Sequence, residues 1–411
     1  MSRTIVLSFF FFFLLTLNAS AHNFCLIKPG GWDRDEVTDL LAKPLTSVSK
    51  ENAALVREMV NALMSPMTLP EYQNNTSGVG IKRMSRVTLD AKGWVTKVYA
   101  PAVRNKGIQQ EFGTTMLKAI DLIVNDEQQK VIAQVNASMV LAEFAGKTDE
   151  AGIVDLLVQL IEKPPAARST EGKPNRGVTL YAFRAIKNLL ARPKRPFKDA
   201  AVAKLAEGLI KFIETPPPGN AATDTAVAEG FKLLRRDAVR ALSYVGKPSF
   251  AQGKIRPAFT LFKVMTGMGV APTSRLAYRL DERVAATWGL MTQQLNPADK
   301  YDADYGTYFM GATIYELARW HDIEKQETQK RYPYKIFALR LSKALKTLQA
   351  NAKGAVVDSF VKQTSVMMER ILLERQANPA DIQNWLNANA KAIQGKSLFT
   401  GDASTVFKPP Q

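Results

Sequence analysis

The sequence predicts a mainly all-α fold, an α-solenoid or helical-repeat array with a small N-terminal β-hairpin. Four Ala-x-x-x-Leu steps in the middle of the chain carry this prediction: Ala137 to Leu141, Ala185 to Leu189, Ala238 to Leu242 and Ala286 to Leu290. Their alanines lie 48, 53 and 48 residues apart (185−137, 238−185 and 286−238), and each step falls in a helical apolar pattern. Self-similarity at a fixed period of this length is typical of stacked helical repeats.

The N-terminus has the pattern of a secretory signal peptide. Arg3 precedes an apolar run from Ile5 to Leu17, and Ala19-Ser20-Ala21 follows as a cleavage site. An uncleaved anchor is the alternative, but the run is shorter than the roughly 20 residues that a spanning helix needs. We therefore predict a signal peptide at 1–21, export to the periplasm or the extracellular space, and no transmembrane helix in the mature chain.

Residues 22–107 are predicted as N-terminal helices plus a hairpin that caps the array. Asp33 to Lys43 and Ser47 to Ser65 have amphipathic helical patterns. Ile81 to Leu89 and Trp94 to Tyr99 are predicted as extended strands, with Asp90 to Gly93 as the turn between them. A hairpin is marginal alone, so we expect it to pack on a helix and either cover the open face of the first repeat or serve recognition.

The repeats resemble a known family. Asn136-Ala137-Ser138-Met139-Val140-Leu141-Ala142 and Arg236-Asp237-Ala238-Val239-Arg240-Ala241-Leu242 are similar to the second helix of a HEAT repeat, of the armadillo-type class. The resemblance covers roughly 108–294. It implies an α-solenoid with a concave partner-binding surface and no conserved catalytic set. We predict that the helical region 295–394 continues the array, as repeats or as a bundle, and that 395–411 is a flexible tail.

The chain is basic, with a formal net charge of +17, and about half of that charge lies in one segment. Residues 168–198 hold a single acid, Glu171, and nine cations: Arg168, Lys173, Arg176, Arg184, Lys187, Arg192, Lys194, Arg195 and Lys198. Such a segment is either a docking site for a polyanion or an acidic partner, or a solvated basic rim. Nucleic acid is not predicted as a partner, because export removes the chain from it.

The candidate catalytic and metal-binding motifs in the sequence are incomplete. His321 is the only histidine beyond His22, so the cluster around it lacks ligands for a zinc site. Gly146-Lys147-Thr148 lacks the upstream glycine of a phosphate-binding loop, and Asp302 to Gly306 lacks the flanking acids of a calcium loop. We therefore predict no catalytic residues, no metal and no cofactor.

Three functions remain open from the sequence. The leading hypothesis is an exported, non-catalytic scaffold for protein–protein interaction, with a protein partner in the cell envelope. The alternative is a module that binds an anionic envelope polymer or an acidic partner through 168–198. A hydrolase that uses paired carboxylates is the third, since pairing in space is invisible in a sequence.

Overall fold

The structure, a computed structural model, describes residues 32–44, 48–73, 79–170, 172–193, 197–217, 219–251, 254–267, 270, 274–292, 342, 346 and 355–369. The predicted signal peptide at 1–21, most of 295–394 and the predicted tail at 395–411 lie outside these residues. The described chain is mostly helical, which confirms the fold class at this level, and its extended pairing is limited to two isolated bridges. It divides into two compact units, Met1–Phe197 and Lys198–Gln411.

The first unit is built from two layers of helices. Its helices are α1 (Arg34–Ala42), α2 (Lys50–Met64), α3 (Pro70–Gln73), α4 (Val79–Val98), α5 (Lys106–Asn125), α6 (Val131–Ala145), α7 (Gly152–Glu162) and α8 (Arg176–Leu190). In one layer α4 packs on α6 and α6 packs on α8, and in the other α2, α5 and α7 follow one another. Helix–helix packing of this kind is that of a helical repeat.

The predicted hairpin at 81–100 is wrong, because one helix, α4, runs through both predicted strands and the turn. The buried side chains of α4 are Met84, Thr88, Ala91, Val95 and Val98, with Trp94 beside them. Their spacing of 4, 3, 4 and 3 residues has the period of a helix buried on one face. The β-branched residues in this stretch suggested strands, but burial on a helical period overrides that local preference.

With α4 as a helix, the series of buried alanines has one more member. Ala91 is fully buried like Ala137 and Ala185, and it lies 46 residues before Ala137 (137−91) with Val95 in place of the leucine. The predicted core role of all four Ala-x-x-x-Leu steps is confirmed, since every alanine and leucine in them is buried. The small side chain lets neighbouring helices approach closely, and the larger one fills the groove beside it.

Hydrogen bonds between the layered helices recur at about one repeat of sequence. Thr88 donates to the Asn136 side chain over 2.7 Å, 48 residues away. The Asn188 amide donates to the Ala142 carbonyl over 2.7 Å, 46 residues away. Thr96 also donates to Glu143, so later residues of α4 meet later residues of α6. Helices α4 and α6 therefore run in the same direction. Helix α8 also does, because Asn175 at its start donates to Gln134, while Asn188 near its end donates to Ala142.

Helix α1 covers part of α4. Trp32, just before α1, meets Trp94 edge-on with ring centroids 5.0 Å apart. The Lys97 ammonium lies 4.3 Å from the Trp94 ring centroid and donates to the Thr38 hydroxyl over 2.7 Å. These contacts place an aromatic pair and α1 on the first helix of the layer, where the sequence had suggested a hairpin cap.

The second unit repeats the same local geometry. Its helices are α9 (Asp199–Glu214), α10 (Thr225–Leu242), α11 (Pro257–Thr266), α12 (Leu280–Met291) and α13 (Ala355–Glu369). Helix α10 packs on α12, while α9 packs on α10 and α11. Ser243 donates to the Ala285 carbonyl over 2.6 Å, 42 residues away, and a Cβ on Gly289 would meet the Ser243 Cα at 2.7 Å. Gly289 is thus needed for the close approach of α12 to the end of α10.

Among the described residues, no helix is both long enough and apolar enough to span a bilayer.

Candidate interaction surface

The buried alanines define equivalent surface positions on the three parallel helices of the first unit. Five residues before the alanine stand Arg86, Ile132 and Leu180, and two residues after it stand Gly93, Met139 and Lys187. We call the surface that these helices expose the step face. Its members are Arg83, Arg86 and Leu89 on α4, Ile132, Val135 and Met139 on α6, and Leu180, Arg184 and Lys187 on α8.

The middle of the step face is apolar. Ile132, Val135 and Met139 are half-buried and share one side of α6 at helical spacing. Leu89 on the neighbouring helix is 66% exposed, the highest exposure among the large exposed hydrophobic residues of the described chain. A single exposed leucine needs no explanation, but one beside an apolar strip is typical of a contact surface.

Charge is divided unequally between the two layers. By sequence, α4, α6 and α8 carry eight lysines or arginines and two acids. The facing helices α2, α5 and α7 carry four basic residues and six acids. The layer that holds the buried alanine steps is therefore the positive one, and its potential favours negatively charged groups.

Three cations of the step face, Arg83, Arg86 and Lys187, have no partner among the residues that the structure describes. Their side chains make no hydrogen bond or ion pair within that part of the chain, and the Arg184 guanidinium lies 4.8 Å from the Tyr181 ring centroid. Of the two acids in this layer, Glu143 lies 3.6 Å from the Lys147 ammonium. The positive charge of the face is thus offset little by its own acids.

The predicted basic segment is divided by the structure. Arg168, Lys173 and Arg176 are exposed at the 3-10 turn Arg168–Thr170, the loop after it and the start of α8. Arg184 and Lys187 belong to the step face. Lys194 and Arg195 lie outside the described residues, and Lys198 is the N-cap residue of α9 in the second unit.

Arg192 has an internal role. Its guanidinium donates to the Thr148 carbonyl and pairs with Asp149 over 2.5 Å, and its side chain is only 18% exposed. It closes one side of a cleft of about 340 Å³ at the C-terminal ends of α6 and α8, where Glu143, Lys147 and Asn188 also line the wall. A cation at a helix C-terminus is favoured by the helix dipole. The contacts of Arg192 therefore stabilise the fold.

Tyr99 anchors the C-terminal end of α4 to its neighbours. Its hydroxyl lies 3.1 Å from the Gln109 carbonyl and 3.2 Å from the Thr148 hydroxyl. Burial raises the pKa of Tyr99 to about 12, because the phenolate would be poorly solvated there. Burial also raises the pKa of Glu150, which approaches the same site from the turn before α7. This cluster holds α4, α5 and the α6–α7 turn together.

The second unit holds a charge network that sequence reasoning missed. Arg235 and Glu282 are buried, 4% and 0% exposed, and pair through two bonds of 2.5 and 3.0 Å. Glu282 also accepts from the Arg279 backbone N–H over 2.6 Å, which caps α12. The guanidinium of Arg235 stacks 4.2 Å from the Tyr278 ring centroid, and burial raises the pKa of that tyrosine. Arg235 and Glu282 are 47 residues apart, about one repeat, and this spacing was the signal in the sequence that could have revealed the pair.

A second set of ion pairs lies beside it. Arg236 approaches Asp237 at 3.1 Å and Asp281 at 3.5 Å, and Arg240 approaches Asp237 at 3.4 Å. Arg279 lies 3.4 Å from Asp281. Both aspartates are buried, so these cations neutralise charge inside the unit.

Among the described residues, no group of three His, Cys, Asp or Glu side chains is placed so that it could hold a metal ion. The cluster of Glu316, His321, Asp322 and Glu324, which the sequence offered as a possible ligand set, lies outside them.

The sequence matches no protein-family model, and comparison with curated proteins and with solved structures finds no significant match. Function therefore has to be argued from the geometry of this chain.

Proposed function

We propose that this protein is an exported, non-catalytic helical-repeat scaffold for protein–protein interaction. The observation that carries the proposal is the step face, on which the apolar strip of α6 lies between cations of α4 and α8. A surface of this composition serves binding, because apolar contact supplies affinity and charge supplies steering and specificity.

Export and a HEAT-like fold are two further parts of the proposal. Export is supported by the signal-peptide pattern at 1–21, and a HEAT-like α-solenoid is supported by the alanine steps and the repeat-spaced hydrogen bonds. N-terminal analysis of the protein from its own cells should give a chain that begins at His22. A chain that keeps Met1 and stays inside the cell would contradict export.

The scaffold function is tested by capture from the cell envelope. The chain from 22 to 411 is immobilised and exposed to envelope extract, beside an unrelated protein of similar isoelectric point. The expected result is a protein retained only by this chain, which forms a complex of fixed stoichiometry when both are purified. Repeated captures that return only what the basic control retains would overturn the scaffold function.

The alternative of an anionic envelope polymer through 168–198 has one supporting feature, the exposed Arg168, Lys173 and Arg176. A polymer bound by charge alone should leave a column steeply as salt rises, because exposed charges are screened over about 10 Å at 0.1 M salt. Retention of extract polysaccharide with that profile, and of no protein, would favour the polymer over the scaffold.

A further inference from the structure

We infer that the step face binds an acidic amphipathic helix of a partner protein, an inference that rests on the proposed scaffold function. The face has three parallel rows: cations with Leu89 on α4, an apolar strip on α6, and cations with Leu180 on α8. The complementary ligand has apolar side chains in its middle and acids towards both ends.

The apolar strip argues for a protein segment. Contact through Ile132, Val135 and Met139 lowers the free energy of the complex only when another apolar surface removes these side chains from water. An anionic polysaccharide or polyphosphate would pair with the flanking cations and leave that strip wet. A second copy of this chain is disfavoured, because it would bring the same cations against one another.

The spacing of the rows limits the length of the ligand. Packed helix axes lie about 8–10 Å apart, so the axes of α4 and α8 are roughly 16–20 Å apart across α6. Arg86 lies before its buried alanine and Lys187 after its own, so the two cations are also offset by about 10 Å along the parallel helices and lie roughly 19–23 Å apart. A helix that crosses the face rises 1.5 Å per residue and therefore needs about 13–15 residues between its two acidic groups. Cations on α4, with Arg83 and Arg86 one turn apart, meet one group, while Lys187 on α8 meets the other.

The test uses a fluorescent synthetic peptide of about 20 residues, with two acidic groups about 14 residues apart and leucines between them at helical spacing. A scrambled peptide of equal composition, polyglutamate and vesicles of anionic lipid serve as comparison probes. Binding is measured by fluorescence anisotropy to the 22–411 chain and to two variants of the step face, Leu89→Ser and Lys187→Glu.

Two variants of α5, in the opposite layer, serve as matched controls. Leu122 is 47% exposed and Lys118 is exposed, so Leu122→Ser and Lys118→Glu make the same chemical changes away from the step face. We expect each step-face variant to weaken binding of the amphipathic peptide by about tenfold or more, and each control to change it by less than about twofold. Circular dichroism should show that all four variants keep the fold.

Several results would overturn the inference. Equal binding of the scrambled peptide or polyglutamate would mean recognition by charge alone, and preferential binding of vesicles would mean a lipid surface. Absence of binding by the amphipathic peptide would also reject it. If the partner captured from the envelope is retained equally by the Lys187→Glu chain, the scaffold function stands and this site does not. If no partner is captured, the scaffold function fails by itself.

Discussion

The two units use their cations in different ways, most directly at one equivalent helix position, where Lys187 stands two residues after Ala185 and Arg240 stands two residues after Ala238. Around the buried alanines of the first unit, Arg86 and Lys187 make no side-chain hydrogen bond or ion pair among the described residues, and few acids offset their charge. Around those of the second unit, Arg236 and Arg240 pair with the buried Asp237, and Arg236 also reaches Asp281. The repeat geometry fixes where the side chains lie, while the neighbouring acids decide whether a cation stabilises the unit or remains available for contact.

Loss of the buried ion pair should produce the largest effect, confined to the second unit. Glu282→Ala leaves the Arg235 guanidinium buried without its partner and removes the cap of α12, at a cost of about 3–5 kcal/mol. Hydrogen exchange should show faster opening of α10 and α12, with the first unit unchanged. Arg235→Met combined with Glu282→Leu, which removes both charges, should recover much of the loss. An equal loss in the double variant would mean that the cap matters more than the charge.

The close helix approach in the second unit should be nearly as sensitive. Gly289→Ala places a methyl group against the Ser243 backbone, so α10 and α12 must separate, at a cost of about 1–3 kcal/mol. Denaturant unfolding measures this loss. Gly230→Ala on α10, where a Cβ meets nothing within 4 Å, is the matched control and should be neutral or slightly stabilising. Equal effects of the two changes would contradict a close approach at Gly289.

Alkaline pH should affect the first unit through Tyr99. The pKa of Tyr99 is about 12 in the fold and about 10 when unfolded, so above pH 10 the unfolded chain loses a proton that the folded chain keeps. Stability therefore falls as pH rises from 10 to 12, by about 2 kcal/mol for this group. Comparison with Tyr99→Phe isolates the contribution, because lysines also titrate in this range. Parallel pH profiles of the two chains would mean that Tyr99 ionises at its ordinary pKa.

The smallest effect should be seen on the step face itself. Arg86→Gln and Lys187→Gln should each change the free energy of unfolding by less than about 0.5 kcal/mol, as expected for surface side chains without internal partners. Arg236→Gln in the second unit leaves two buried aspartates with less compensation and should cost about 1–2 kcal/mol. Equal costs at Arg86 and Arg236, measured by denaturant unfolding, would remove the distinction between the units.

The sequence predicted what depends on periodic burial and missed what depends on contacts between repeats. The alanine steps are visible because a small buried residue recurs at a fixed place on each helix. Residues 79–98 misled the prediction because Val87, Thr88 and Val95 favour strands locally, while the period of burial, Met84 to Val98, spans the supposed turn. A fifth step at Ala91 was hidden by valine in place of leucine.

The interaction surface was only partly predictable. Lys187 and Arg184 stand out by charge, but Leu89 gains meaning only when α4 is placed beside α6. Arg192 belongs to the same charged segment and yet pairs with Asp149, a residue 43 positions away. Charge density along a sequence does not reveal which cations are paired, since pairing is decided by the packing of distant helices.

The aromatic pair at the start of the first unit gives this protein its own optical probe. Two indoles with centroids 5.0 Å apart at 77° are close enough for their electronic transitions to couple, and the Lys97 ammonium lies over one of them. In the second unit Trp288 lies 4.4 Å from Tyr244 instead. Near-ultraviolet circular dichroism of Trp94→Phe and Trp288→Phe chains can therefore follow the melting of each unit separately, without an added label.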